Sequence, residues 1–361
     1  MRTAAPVSRR QLGLWALGSL FVPTAVRAQA AGAATYIGDM HSHITMLRKD
    51  PMAFDLRKHM ADTGTTLMAW AIIDDHPWVH RTQFGLKQSG TPAPGELWAL
   101  FQKMVAERYE PALKHWGLSK VLVPADVDAA LAGKAQVVMA SESANFLEGQ
   151  PERVAQVHAM GLRHLQLVHY IHSPLGDLQT EAPHHHGLPP AALKVIQECQ
   201  RLGILVDLAH SPPEFVDAAF AASDATMIWS HSWVSRQGGS WKDSGYLARS
   251  LSPAQAKRIA ARGGVVGLWS VRVPGDSAYP LYSVRSYANE IMRMVDLLGP
   301  EAVAFGTDMD GAGRNAVLSH YADVREVVEN LAKRGLPEAA LHNICIGNYA
   351  RVLKKAMTSK A

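Results

Sequence analysis

The sequence predicts an α/β fold closed as a (β/α)8 TIM-type barrel, with extra helices inserted after the second strand. Two patterns and one total carry that expectation. Short runs rich in β-branched and aliphatic residues alternate with longer helical stretches, the form a parallel sheet with helical crossovers takes in sequence. There are eight such runs, the number that closes a barrel of this type. A chain of 361 residues, 48% of them hydrophobic, can also bury a core large enough for one barrel or two smaller domains.

Residues 1–30 read as an export signal rather than as structure. Ser8-Arg9-Arg10-Gln11-Leu12 is a twin-arginine pattern, the apolar segment Leu12 to Val22 follows, and Ala28-Gln29-Ala30 is a small-residue cleavage signature. The apolar segment is short for a spanning helix, which needs ~20 apolar residues. The expected location is therefore periplasmic or secreted, with no stable membrane span after signal removal. Residues 31–361 are expected to form a single barrel domain.

The eight runs are Tyr36 to Asp39, Leu67 to Ile73, Gln136 to Ser141, Leu162 to Val168, Ile204 to Ala209, Met227 to Ser230, Val265 to Trp269 and Val303 to Thr307. Between them, Pro190 to Arg201 and Pro253 to Arg262 have helical spacing, with Ser252 and Pro253 placed as N-cap and first-turn proline. Gly203 and Gly263-Gly264 end those helices. The connection from 76 to 133 exceeds an ordinary crossover, and Glu96 to Tyr109 within it is helical in composition. Ser173 to Leu188, with His184, His185 and His186, reads as an extended loop over the barrel mouth. Three adjacent histidines cannot all face one ion, so a solvated lid is expected there rather than a metal tract.

The net charge of +4 is spread along the chain, and no basic cluster is interleaved with aromatics, so a nucleic-acid partner is not expected. Cys199 and Cys345 lie far apart and form no Cys-x-x-Cys pair, which indicates neither a thiolate metal site nor a redox motif. Among the 17 histidines, many fall at the ends of apolar runs.

Active sites of such barrels sit at the carboxyl ends of the strands. Those ends carry His41 and His43 on the first run, Glu142 on the third, His169 on the fourth, His210 on the fifth, His231 on the sixth and Asp308 on the eighth. Side chains alternate along a strand, so His41 and His43 share a face and can grip one ion together. Burying this many ionisable groups without partners is costly, which argues against core packing as their purpose. Neutral imidazoles and carboxylates are ligands for zinc and its neighbours, and Glu142 has two oxygens with which to bridge a pair of ions. Two ions ~3.5–4 Å apart would share a hydroxide positioned for attack on a carbonyl. Asp308, in Gly306-Thr307-Asp308-Met309-Asp310-Gly311, is placed to take the proton from that water and pass it to the leaving group. His76 and His80, beside Asp74 and Asp75, lie on the same rim. Trp233, Trp241 and Trp269 offer an apolar wall or ordinary core.

Asp39-Met40-His41-Ser42-His43, Ser141-Glu142, Val168-His169, Asp207-Leu208-Ala209-His210-Ser211, Ser230-His231-Ser232, the stretch around Asp308, and Gly347-Asn348 together resemble the membrane (renal-type) dipeptidase family of zinc metallopeptidases, which are amidohydrolase-like TIM barrels. The resemblance runs from about Tyr36 to Leu353 in the family's motif order. It implies two Zn2+ ions, the first held by His41 and the residue at 43, the second by His210 and His231, with Glu142 bridging. It also implies that His169 stabilises the oxyanion, that Asp308 handles the proton, and that Arg249, in Ala248-Arg249-Ser250-Leu251, binds the substrate carboxylate. A homodimer is implied in the same way.

One position departs from the family. Its opening motif resembles His-x-Asp, whereas His43 stands here where the aspartate would be, as in the His-x-His of the wider amidohydrolase-like barrels. Replacing a carboxylate by a neutral imidazole offsets the repulsion between two dications less well. The expected consequence is a weaker or differently selective first metal position, or closer involvement of Asp308 with metal. The function expected from all this is an exported metal-dependent hydrolase cleaving small dipeptides. An amidohydrolase of the same class acting on another amide, lactam or ester is the first alternative, and a non-catalytic periplasmic metal- or ligand-binding protein the second.

Overall fold

The computed structural model describes residues 35–82, 85–243, 245–273 and 279–358. The twin-arginine stretch and the cleavage signature lie outside the described residues.

The strands, in chain order, are β1 (Ile37–Ser42), β2 (Thr65–Ile72), β3 (Val79–Thr82), β4 (Gly85–Gln88), β5 (Ser119–Lys120), β6 (Gln136–Ser141), β7 (Leu162–Gln166), β8 (Leu205–Asp207), β9 (Met227–Ser232), β10 (Val266–Leu268) and β11 (Val303–Phe305). Eight of them form one parallel path, β1-β2-β6-β7-β8-β9-β10-β11, and correspond one for one to the eight apolar runs. The path closes by a seam rather than a ladder. At the strand ends, Asp308 donates its N–H to the His41 carbonyl at 2.9 Å and His43 donates to the Met309 carbonyl at 2.8 Å. Beneath them, the Asp39 carboxylate accepts from the Thr307 N–H at 3.0 Å, the Thr307 hydroxyl at 2.6 Å and the Tyr321 hydroxyl at 3.0 Å.

Period-two alternation sets the two faces of the wall. On β2, Leu67, Ala69 and Ala71 belong to one buried cluster with Val138, Ala140, Leu205, Ile228 and Ala304. Tyr349, Val352 and Leu353 of the C-terminal helix Asn348–Thr358 join that cluster and fill the end of the barrel opposite the site. Met68, Trp70 and Ile72 point the other way, into the cluster that includes Tyr109 and Trp116 of the insertion. These strands are apolar on both faces because both are covered, which is why each reads as a nearly continuous run in sequence.

The insertion after β2 contains the helices Glu96–Met104, Glu110–Trp116 and Pro124–Leu131, with one wider turn over Val105–Tyr109. It also contains the antiparallel hairpin β3–β4 and the short β5, which pairs with the first two residues of β6. Neither was expected from sequence. The helix Pro253–Ala261 starts as expected, with the Ser252 hydroxyl accepting from the Gln255 N–H at 3.2 Å. Pro190–Leu202 ends at Gly203, whose φ of 79° suits a residue without a Cβ. No helix among the described residues is long and apolar enough to cross a membrane.

Candidate metal centre and active site

The polar rim of the barrel converges on the Glu142 carboxylate. Its Oε1 lies 3.3 Å from the Nε2 atoms of His169, His210 and His231 and 3.4 Å from that of His41. Its Oε2 lies 2.8 Å from His43 Nε2. All six side chains are buried. His41 and His231 sit within β1 and β9, whereas His169 and His210 follow the last residues of β7 and β8, and Glu142 follows β6 directly.

The tautomers make this arrangement a cation site. The Ala71 carbonyl, 2.9 Å from His43 Nδ1, can only accept, so Nδ1 carries a hydrogen; burial opposes protonation but Glu142 and Asp308 outweigh it and raise this imidazole, and once neutral the ring presents its Nε2 lone pair. That lone pair faces His41 Nε2 at 3.0 Å, and a similar approach brings His210 Nε2 to 3.2 Å from His231 Nε2. Facing lone pairs need a proton or a metal between them. Burial lowers the His41 imidazole to about 4 and holds His210 and His231 well below the usual histidine range, so these three are neutral at pH 7. Burial opposes ionisation of Glu142, but His169, His43 and His41 outweigh it and keep the carboxyl well below its ordinary range. An ionised carboxylate beside the neutral imidazoles of His41, His210 and His231 is the donor set of a divalent metal. Among the described residues three triads satisfy the geometry: His41, Glu142 and His231; His41, His43 and Asp308; and Glu142, His169 and His210.

His43 is thus closer to Asp308 than a simple two-ligand corner requires, its Nε2 lying 3.4 Å from Asp308 Oδ1. Asp308 Oδ2 accepts from Trp269 Nε1 at 2.8 Å, while Oδ1 has no hydrogen-bond partner despite being buried. Burial, helped by Glu142, pushes the Asp308 carboxyl up to about 7. The residue is held at φ 55°, in the left-handed region, and His210 likewise at 69°. Such conformations cost on the order of 1 kcal/mol each in non-glycine residues and persist where the surroundings enforce them. Gly311 makes room for that conformation, since a Cβ there would overlap the Asp308 carboxylate.

Asp75 is the functional residue that sequence reasoning missed. Its carboxylate accepts from His169 Nδ1 at 2.8 Å and from the Tyr170 N–H at 3.1 Å, fixing the ring so that Nε2 faces the site. Burial alone would depress His169, but Asp75 and Glu142 overcome it and raise the imidazole to about 10, which keeps it a proton donor at pH 7. The only sequence signal was position, just past the end of β2. Asp75→Asn should bring the His169 titration, followed by NMR, down toward the ordinary histidine range and reduce kcat about 10- to 100-fold, a size typical of groups that orient a metal-site histidine. An unchanged titration would rule out this coupling.

Arg249 is buried, not a solvated surface arginine. Its guanidinium lies 4.9 Å over the Trp269 ring, donates to the Tyr170 hydroxyl at 3.4 Å and to His231 Nε2 at 3.0 Å. His231 cannot give one lone pair to both Arg249 and a metal, so an ion held by His231 would free that arm of the guanidinium. A cavity opens above, lined among others by Glu142, His169, His210, Arg249, Trp269 and Asp308. His76 also lines it, but His80 does not. Trp269 is therefore part of the site, whereas Trp241 is exposed on the 235–243 loop and Trp233 packs on Tyr279. His184, His185 and His186 are exposed, and their backbone N–H groups are all pinned by the Asp177 carboxylate.

A family model described as membrane dipeptidase (peptidase family M19) matches residues 96–361. The chain belongs to the membrane dipeptidase family. Similar proteins include the dipeptidase verJ of Clonostachys rogersoniana, 25% identical over 225 residues that cover 61% of this chain and 55% of that protein. Dipeptidase 3 of Rattus norvegicus is 25% identical over 210 residues, covering 55% and 40%. The chain spans about half the length of the curated relatives it matches. Among solved structures, an amidohydrolase from Pseudomonas aeruginosa has a TM-score of 0.69 at 19% identity, covering 90% of this chain and 97% of that one. A metallo peptidase from Rhodobacter sphaeroides, liganded with a phosphinate mimic of the dipeptide L-Ala-D-Ala, has a TM-score of 0.67 at 18% identity, covering 89% and 99%. At these identities the two structures establish the barrel fold. The membrane dipeptidase family is one of metal-dependent peptidases, and the donor set around Glu142 fits a divalent cation.

Proposed function

We propose that this protein is an exported metal-dependent dipeptidase cleaving the amide bond of small dipeptides. The observation that carries the reading is the Glu142 carboxylate ringed by five imidazole nitrogens at the floor of a cavity whose wall holds the buried guanidinium of Arg249. His41, His43, Glu142, His210 and His231 would hold two divalent ions, zinc being the best match to these donors. Such ions supply a water of lowered proton affinity and a polarised carbonyl. Arg249 binds the terminal carboxylate through its planar fork, which fixes the scissile bond over Glu142. His169, held as a donor by Asp75, faces the developing oxyanion, and Asp308 takes the proton and returns it to the leaving amine. The twin-arginine stretch supports export. Amino-terminal sequencing of the mature protein tests it, and a retained Arg9-Arg10 would argue against removal of a signal.

The purified, metal-loaded chain should hydrolyse members of a panel of dipeptides with L and D C-terminal residues, and a chelator should abolish this. Turnover confined to N-acyl amino acids, lactams or lactones would replace the dipeptidase reading with the wider amidohydrolase one, and absence of any turnover would leave a binding protein. Within the panel, Arg249→Gln should raise KM about 10- to 100-fold, the loss expected for a charge-assisted hydrogen bond of ~1.5–3 kcal/mol. Steady-state kinetics at fixed metal content would measure it.

A further inference from the structure

The cavity mouth carries a second guanidinium that the roles above leave unused. Arg81, on β3, donates to the Tyr246 hydroxyl at 2.9 Å, and both side chains line the cavity. The Tyr246 ring meets Trp269 edge-on at 5.6 Å, and Trp269 carries Arg249 on its face. Arg81, Tyr246, Trp269 and Arg249 therefore form one wall, with a cation at each end.

The carboxylates that line the same cavity are engaged elsewhere: Asp75 with His169, and Glu142 and Asp308 with the histidine cluster. None of the described carboxylates pairs with Arg81. Other basic side chains differ in this respect, since Lys87 of β4 is paired with Glu181 at 2.8 Å and Arg48 with Asp310 at 3.1 Å. A guanidinium has five N–H donors in a rigid fork, and the phenol oxygen of Tyr246 takes only one of them. Arg81 itself is exposed, with the half-buried Val79 and Leu86 beside it on the cavity lining.

We propose that Arg81 is a specificity-determining residue that receives an acidic side chain on the C-terminal substrate residue. This deepens the dipeptidase reading and rests on it: Arg249 takes the terminal carboxylate, and the shared wall brings the side chain of the same residue toward Arg81. The preferred substrates are then dipeptides ending in aspartate or glutamate.

Two measurements on the full, metal-loaded chain test this. In the first, kcat/KM is compared for Ala-Asp and Ala-Glu against Ala-Asn and Ala-Gln. The parent should favour the acids about tenfold, mainly through KM, as a charged hydrogen bond at a half-open site allows. In Arg81→Gln the acid-to-amide ratio should collapse to about one. In the second, calorimetry compares glutamate with glutamine as ligands, which needs no turnover, and the parent's preference for glutamate should vanish in the variant. A parent that does not discriminate, or an R81Q variant that still does, overturns the assignment. Arg81-dependent binding of glutamate without turnover of any dipeptide would support the acidic subsite while removing the dipeptidase reading alone.

Discussion

Asp308→Asn will leave a folded, metal-binding protein whose kcat is lower by a factor on the order of 10²–10⁴, the usual contribution of a positioned general acid–base group. The substitution keeps the shape and an oxygen to accept from the Trp269 N–H, as Asp308 Oδ2 does at 2.8 Å in the parent. It removes the carboxylate charge beside His43 and, with it, the capacity to carry a proton on the oxygen that has no hydrogen-bond partner. The pH profile supplies a second readout. Without metal, burial and Glu142 raise the Asp308 carboxyl to about 7. A nearby cation favours the ionised form, so in the loaded enzyme the group titrates below 7 and activity rises with pH through that point. The variant should lose this acidic limb. Parental kcat in Asp308→Asn would remove Asp308 from the proton pathway.

Glu142→Gln should be at least as damaging, and for a different reason. It takes the anion from the centre of five imidazole nitrogens, removing the one carboxylate that reaches all of them to offset bound cations. Elemental analysis of the purified variant should find metal well below the parent's content, with activity lost accordingly. Metal that remains at the parental level would show that the histidines suffice. Removing metal from the parent should also lower its melting temperature, because an ion that binds only the folded chain adds about 4 kcal/mol of stability at a thousandfold excess over its Kd. The metal-free fold is sensitive to acid. His41 titrates at about 4 when folded and near 6.5 when unfolded, so the unfolded chain binds the proton first. Stability from this group is complete above about 6.5 and is lost as the pH falls toward 4.

How much of this was legible in sequence depended on whether the residue's partner was local. The barrel strands were visible because strands covered on both faces are continuously apolar, and their carboxyl ends then pointed to His41, His43, Glu142, His169, His210, His231 and Asp308. The hairpin β3–β4 was not, since Val79-His80-Arg81-Thr82 and Gly85-Leu86-Lys87-Gln88 lack a buried face and so lack alternation. Asp75 could not be separated from Asp74, because what distinguishes them is His169, 94 residues further on. Asp74 instead caps the turn after β6, accepting from the Phe146 N–H at 2.7 Å and from the Ser143 hydroxyl. Burial of Arg249 was equally hidden, being created by Tyr170 and Trp269 from two other loops.

The seam between β1 and the end of β11 governs when the site can exist. Asp39 and Thr307, which stitch it, are 268 residues apart, and the first pair of histidines and Asp308 lie on its two sides. Joining them requires the longest loop closure in the barrel, so the ligand set stays open until nearly all of the chain has been made and wound. A nascent or partly folded chain can offer metal only fragments of the site, such as His210 with His231. The complete donor set exists only where the seam is closed, so an ion bound there would favour the finished barrel over any partly wound chain.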